Sequence, residues 1–390
     1  MTATPEIFIL STARTPIGSF GGSLAAMPPI DIATHAAKAA ILRAGIEAGQ
    51  VGTVVFGHVI NTEPRDMYLS RVAAMQAGVP ETTPAMNVNR LCGSGAQAIV
   101  SAVQILLLGD AEIALAGGAE CMSRAPYAVQ TARFGQKMGD TKMLDMMTGA
   151  LTCPFGTGHM GITAENVAAL YGLTREAQDA FALESQARAA RAIAEGRFEG
   201  QIVPIELAGR KGHTVFAQDE HPKATTAAAL AALRPAFAKD GTVTAGNASG
   251  INDGAAAVIL SRGNAGGKAR ARVMGYAVAG VDPKVMGLGP IPAVQALCLK
   301  LGVKPDSFDV VESNEAFAAQ AMAVTQALNL DPEKVNPNGG AIALGHPVGA
   351  TGAIMVAKAL AELERSGGKT ALVTMCIGGG QGIALAIERG

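Results

Sequence analysis

The sequence predicts an α/β protein built from two similar halves with an irregular segment inserted between them. Three observations predict it. A glycine-rich turn, a small-residue helix, a strand and a double glycine follow one another from Gly93 to Gly118, and the same succession returns from Val348 to Gly379. Such self-similarity reads as a duplicated unit, and its order implies parallel strands with helices over both faces. Between the two stretches, from Cys121 to about Gly250, the chain carries more charge and loses the strand–helix alternation. Finally, 49% of the 390 residues are hydrophobic and only 16% are charged, a composition that fits a large interior shared by two or three domains.

The elements follow in order. Residues 6–11 read as a short buried strand. Residues 32–45 are Ala-rich with helical spacing and end at a glycine cap. The run V-G-T-V-V-F-G-H-V (51–59) reads as a strand. N-R-L-C-G-S-G then leads into an apolar helix at 96–108, followed by a strand at 113–116. Gln97, Ser101 and Gln104 break that apolar run, and a membrane span needs about 18 apolar residues, so it reads as a buried helix. In the inserted segment, 174–194 reads as a strong amphipathic helix with acid in its first turn. The α/β character resumes at Gly254, with a helix expected at 350–363 and a strand at 370–375.

Several function classes are disfavoured. The net charge is about −1, Trp is absent and Tyr numbers 4, so neither an electrostatic footprint for nucleic acid or anionic membrane nor a base-stacking platform is apparent. The opening M-T-A-T-P-E-I-F-I-L lacks a basic leader region, so a cytoplasmic location is expected. The 5 cysteines (92, 121, 153, 298 and 376) are scattered without a C-x-x-C pair, against a zinc site or disulfide framework. No G-x-x-x-x-G-K-[ST] loop occurs, nor a G-x-G-x-x-G after a strand with a distal acid.

The chemistry concentrates in four places. Cys92 sits in a C-G-S-G turn directly before a helix, where the helix end is expected to lower the thiol pKa. A lone cysteine is commonly a buried structural one; this context favours the nucleophile. His346, in G-H-P-V-G, is the best candidate base, with its imidazole expected to be exposed at a turn. Cys376 follows the strand A-L-V-T-M and precedes three glycines, whose N–H groups suit a developing oxyanion. A second thiol there suggests proton transfer to or from carbon, because a thiol titrates near working pH. Asn314, in S-N-E-A-F, suits a helix N-cap, and its amide can also position a water or donate to an enolate oxygen; the two roles can hold together. The small-residue run G-T-V-T-A-G-N-A-S-G-I-N-D-G-A-A-A (241–257) can let a long, narrow ligand approach the backbone.

Taken together these segments resemble the thiolase family, specifically its bacterial acetyl-CoA acetyltransferases and β-ketothiolases. The resemblance runs nearly the whole length: R-T-P-I-G-S-F-G-G, N-R-L-C-G-S-G, G-G-A-E-x-M-S, H-M-G-I-T-A-E-N, G-N-A-S-G-I-N-D-G-A, N-E-A-F-A, G-H-P-V-G-A-T-G and C-I-G-G-G-Q-G. It implies the thiolase fold, two halves stacked as αβαβα layers: a core half at 1–121 completed by 250–268, a loop domain at 122–249 covering coenzyme A, and a second core half at 269–390. It also implies that Cys92 carries the acyl group, His346 activates it, and Cys376 moves the α-proton. Asn314, through a water, and His346 would hold one oxyanion; the N–H groups of Cys92 and Gly378 would hold the other. Coenzyme A contacts would fall on Leu151, His159, Lys223, Ser249, Ala316 and Phe317, with Met160 and Met286 lining the acyl pocket. Coenzyme A would be substrate and product, with no permanently bound cofactor and no metal. The chain would form a homo-oligomer, a tetramer built as a dimer of dimers, through a loop at 123–145.

Lys223 stands where the family often has Arg, which keeps a charge but loses a bidentate fork. Alternatives are a longer-chain degradative 3-ketoacyl-CoA thiolase, a ketoacyl synthase-like condensing enzyme, a silent CoA- or lipid-binding protein, and a cysteine hydrolase. The synthase normally lacks the C-x-G-G-G-x-G ending, the silent protein would lack one of the four catalytic side chains, and the hydrolase needs no second thiol.

Overall fold

The computed structural model describes residues 5–209, 212–263, 265 and 267–390. Residues 1–4, read above for a leader, lie outside the described residues, as do 210, 211, 264 and 266 within the expected domain spans.

Nine strands run in the hydrogen-bonded order Val310–Ser313, Thr370–Ile377, Gln381–Arg389, Ala271–Gly280, Ile7–Arg14, Asn252–Arg262, Ile113–Cys121, Thr53–Gly57, Ala85–Val88. A tenth, Gly18–Ser19, pairs with Asn252–Arg262. The path crosses a narrow seam: Ile7–Arg14 meets Ala271–Gly280 only at Phe8↔Arg272 and Ile9↔Ala271.

On each side of that seam the topology repeats. Ile113–Cys121 pairs parallel with Thr53–Gly57 and antiparallel with Asn252–Arg262. Likewise Thr370–Ile377 pairs parallel with Val310–Ser313 and antiparallel with Gln381–Arg389. Even the outermost strand has its counterpart, since Ala85–Val88 pairs parallel with Thr53–Gly57 and Val335 bridges parallel to Val311. The duplicated unit expected from the sequence repeat is therefore present. Its two copies differ at one hairpin: residues 122–251 separate the paired strands in the first half, whereas Gly378, Gly379 and Gly380 alone close the turn in the second.

Two helices fill the space between the sheet halves. Ser94–Leu108 and Thr351–Ser366 pack on each other and share one apolar core with both halves, through Val55, Ile99 and Val258 on one side and Leu360, Val373 and Leu385 on the other. They approach closely because neither bears a side chain where they cross. A Cβ on Gly95 would come within 2.9 Å of the Ala353 nitrogen, and one on Gly352 would collide with Ala96. The outer faces are covered by Pro29–Ala44 and Leu69–Gln76 on the first half and by Pro290–Leu301 on the second. The result is five layers, α-β-α-β-α. The segment Leu91–Leu108 is apolar enough by composition to cross a bilayer, but here it leads into and forms a central helix of the core.

Some local expectations are corrected. The strand at 113 does not stop before the double glycine but runs on to Cys121, because Gly117 and Gly118 stay in register with Ala257 and Ala256. Cys376 likewise lies within its strand, opposite Gly382, rather than beyond its end. The helix Arg175–Ala194 is capped by Thr174, whose hydroxyl accepts from the Ala177 N–H, but its buried side is not the apolar stripe expected. That side includes Gln178, Asp179, Ser185 and Arg188, each held by hydrogen bonds: Asp179 accepts from Asn247, and Arg188 donates to the carbonyls of Pro332 and Val335.

Candidate active site

The central helices begin at the same end of the molecule. Cys92 precedes Ser94–Leu108 and His346 precedes Thr351–Ser366, so the duplication itself brings the two turns side by side. The tip of the Thr370–Ile377 hairpin supplies Cys376 and Gly378, and the segment after Val310–Ser313 supplies Asn314. The inserted segment closes over these groups. Its residues 247–249 form a short ladder with 316–318, through the Ala248↔Phe317 bridge, Ser249 N–H to the Ala316 carbonyl (3.0 Å) and Ala318 N–H to the Asn247 carbonyl (2.8 Å).

A cavity of about 460 Å³ results. Cys92, His346, Cys376, Gly378, Leu151, His159, Lys223, Ser249, Ala316, Phe317, Met160 and Met286 all line it. Asn314 does not, but its amide stands 3.5 Å from His346 Nε2. Asn314 is not a helix cap: the next helix, Ala318–Ala327, has Phe317 at its N-cap.

The turn carrying Cys92 is unusually constrained. Leu91 adopts φ +44°, a left-handed conformation uncommon for a residue with a side chain. Asn89 Oδ1 accepts from the Leu91 N–H, and the Ser94 hydroxyl both accepts from the Arg90 N–H and donates to the Leu91 carbonyl. Gly378 stands with Cys92 in the wall of the cavity. Charge on Cys92 raises the Cys376 pKa, and both thiols line the same cavity.

Burial overrides the expected activation of the thiols. It pushes Cys92 up to about 11, against the lowering effect of the Gly378 and Cys92 N–H groups. Cys376 is raised further, first by burial and then by the Cys92 charge, so it rests as a thiol rather than titrating near neutrality. His346 is 5% exposed, not displayed at an open turn, and burial lowers its pKa to about 4. The resting pair is therefore neutral thiol and neutral imidazole.

The imidazole tautomer follows from its partners. The Thr351 hydroxyl lies 2.9 Å from the Pro347 carbonyl and donates to it, so toward His346 Nδ1, at 2.7 Å, it accepts. Nδ1 then carries the hydrogen and Nε2 keeps its lone pair. The Asn252 Oδ1 accepts from the His346 N–H at 2.9 Å and fixes the turn.

The outer cavity is a slot. The His159 ring stacks on Phe237 at 4.7 Å, and Phe237 meets Phe317 edge-on at 6.0 Å. Lys223 stands exposed at its mouth. Thr351, Asn252 and Phe237 escape the sequence reading. The first two stand in G-H-P-V-G-A-T and G-I-N-D, motifs whose glycines drew attention away from their polar members; Phe237 has no local signal.

Comparisons with known proteins place the chain by family and fold. Family models described as thiolase, N-terminal domain and thiolase, C-terminal domain match residues 7–264 and 267–389. The chain is 56% identical to a Cupriavidus necator protein named beta-ketothiolase BktB, over 99% of this chain and 100% of that one. It is 50% identical to an acetyl-CoA acetyltransferase of Thiocystis violacea, over 98% of this chain and 99% of the other. Among solved structures, the Bacillus anthracis acetyl-CoA acetyltransferase superposes with a TM-score of 0.97 at 44% identity, each chain covered in full. Human mitochondrial 3-ketoacyl-CoA thiolase in complex with CoA gives 0.96 at 43% identity, with 99% of this chain and 98% of that one covered. With both halves matched end to end, and two thiols, an imidazole and an amide gathered where the halves meet, the chain belongs to the thiolase family.

Proposed function

We propose that this thiolase works as an acetyl-CoA C-acetyltransferase and β-ketothiolase, joining an acyl-CoA to acetyl-CoA and running the reverse cleavage of 3-ketoacyl-CoA by free coenzyme A. The observation that carries this reading is the presence of Cys92 and Cys376 in the wall of one cavity, beside a neutral His346 whose Nε2 is free to accept a proton. Neither a hydrolase nor a passive CoA carrier needs both thiols.

In the first half-reaction His346 Nε2 takes the Cys92 proton as the sulfur attacks the thioester carbonyl. This proton moves with the attack, because neither partner is charged at rest. The departing coenzyme A sulfur takes the proton of Cys376. Cys92 now bears the acyl group and Cys376 is a thiolate, which is how a thiol with a raised pKa becomes a base. In the second half-reaction Cys376 removes a methyl proton of acetyl-CoA. The enolate oxygen receives hydrogen bonds from His346 Nε2–H and, through a water, from Asn314. Its carbon attacks the acyl-Cys92 carbonyl, whose oxygen turns toward the N–H groups of Cys92 and Gly378. Collapse breaks the carbon–sulfur bond, and His346 returns the proton to Cys92. Each preorganised donor in such a site contributes about 3–4 kcal/mol to the barrier reduction.

The inserted segment, 122–249, supplies the coenzyme A cover in this reading. Leu151, His159 and Ser249 contact the pantetheine arm along the aromatic slot, together with Ala316 and Phe317 from the second half, and Lys223 meets the phosphates. Met160 and Met286, buried beside Cys376, bound the acyl end with adaptable thioethers. Coenzyme A enters and leaves as substrate and product. The reaction itself calls for no resident cofactor. The assembly is a homotetramer, and the location is cytoplasmic. Among the features that support an oligomer are Phe134 and Met138, 90% and 89% exposed in the 123–145 loop.

The test is thiolysis of acetoacetyl-CoA, 3-ketovaleryl-CoA and longer 3-ketoacyl-CoA by free coenzyme A. Ping-pong kinetics with the shorter substrates are expected; thioester hydrolysis without coenzyme A dependence would defeat the reading.

A further inference from the structure

Behind the cavity lies a buried carboxylate that the reaction above does not use. Glu120 is fully buried near the end of the strand Ile113–Cys121. Its Oε1 accepts from the Ile60 N–H at 3.1 Å. Its Oε2 accepts from the Val59 N–H at 3.1 Å and the Gly349 N–H at 3.0 Å. Burial raises the Glu120 pKa, and His58 together with the three converging peptide donors opposes that rise by favouring the ionised carboxylate. His58 Nδ1 stands 3.4 Å from Oε1 and bonds the Ala119 carbonyl, while Asp66 lies 4.0 Å beyond the far ring nitrogen.

What distinguishes these contacts is where they lead. Gly349 belongs to the turn between His346 and the helix Thr351–Ser366, in the second half of the molecule. The fit there admits no side chain, since a Cβ on Gly349 would come within 2.5 Å of Glu120 Oε2. Val59 leads the other way. Its carbonyl accepts from the Asn89 amide at 3.3 Å, and Asn89 Oδ1 accepts from the N–H of Leu91, the left-handed residue beside Cys92. One carboxylate thus holds the His346 turn directly and the Cys92 turn through Val59 and Asn89.

We propose that Glu120 is a positioning residue for the acylation step: its carboxylate sets the turn carrying Cys92 in register with the turn carrying His346. The inference rests on the assignment of those two residues as nucleophile and base. Without the clamp, the coenzyme A slot built from His159, Phe237 and Phe317 is untouched, so binding survives while thiol and imidazole lose alignment. Misplacement by an ångström at a reacting pair costs on the order of a hundredfold in rate. The same charge also faces Cys92 and disfavours its thiolate.

The experiment compares Glu120→Gln and Asn89→Ala with the parent in three readouts: pre-steady-state acylation of Cys92 by acetoacetyl-CoA, the KM for acyl-CoA, and the pH dependence of Cys92 alkylation by iodoacetamide. An amide at 120 offers one oxygen where three donors converge. Glu120→Gln is expected to slow acylation by roughly tenfold to a hundredfold, hold KM within about threefold, and move the alkylation midpoint downward as the negative charge is lost. Asn89→Ala, at an exposed position, is expected to slow acylation by roughly tenfold with the alkylation midpoint unchanged. Acylation at the parent rate in Asn89→Ala overturns the proposal, whether or not Glu120→Gln folds. So does a Glu120→Gln protein with parental acylation and midpoint, or one whose whole loss lies in KM. If the parent itself shows no acyl-Cys92, it is the catalytic assignment that fails, not the clamp.

Discussion

At the scale of single residues, the chemistry turns on how burial moves protons. A thiol at a helix start is commonly a better acid than a free one, yet Cys92 is pushed the other way, up to about 11. Its alkylation in the free enzyme should therefore rise about tenfold per pH unit through pH 9; a plateau near pH 8 would mean that the helix end and the Gly378 N–H outweigh desolvation. His346, lowered to about 4, stays neutral across that range and sets no limit of its own. Its usefulness depends on which nitrogen holds the hydrogen, and that is the work of Thr351. Thr351→Val keeps the shape but removes the acceptor for Nδ1–H. Acylation of Cys92 is expected to slow about tenfold to a hundredfold with little change in acyl-CoA KM; an unchanged rate would show that the tautomer is fixed by something else. The sequence singled out Cys92, His346 and Cys376 through their glycine-rich settings, and Asn314 through its place in S-N-E-A-F. It could not show their protonation states, because those depend on desolvation by residues hundreds of positions away.

At the scale of elements, the alternating pattern of strands and helices was legible, and the boundaries less so. Gly117 and Gly118 look like a strand end but lie within one, because the cross-strand partners Ala257 and Ala256 hold them in the sheet. The helix Arg175–Ala194 shows a different limit. Its buried polar side chains can be recognised only once the neighbouring segments are in place to bond them. The first strand gives another case. Arg14, wholly buried, makes a bidentate pair with Asp219 of the inserted segment at 2.7 and 2.9 Å, and Asp219 also accepts from the Ile17 N–H. Removing one partner strands the other charge in the interior, which costs about 3–5 kcal/mol. Asp219→Ala should therefore shift the urea midpoint strongly downward in equilibrium unfolding; a shift worth under about 1 kcal/mol would mean that water reaches Arg14.

At the scale of the whole molecule, duplication explains why the site is where it is. Each half starts a central helix at the same end, so a turn with Cys92 and a turn with His346 become neighbours, and the single unequal hairpin lets one half carry a cover while the other keeps a bare glycine tip. The repeat and the inserted segment were readable from the chain; the cavity they enclose was not, since its wall draws on residues from 19 to 378. The exposed apolar loop bears on assembly. For the homotetramer proposed above, replacing Phe134 and Met138 together by Ser should lower the mass measured by sedimentation velocity while leaving the fold intact; a parent that sediments as a monomer, or a mass unchanged by the substitutions, would contradict assembly through this loop. The central claim, one sulfur for the acyl group and another for the proton, is tested most directly by intact-protein and peptide mass spectrometry after exposure to acetyl-CoA. The parent and Cys376→Ala, the latter at a reduced rate, should gain one acetyl group on the peptide containing Cys92, Cys92→Ala should gain none there, and Cys376→Ala should form no acetoacetyl-CoA. Acetylation that persists in Cys92→Ala, or condensation that proceeds at the parental rate in Cys376→Ala, would contradict it.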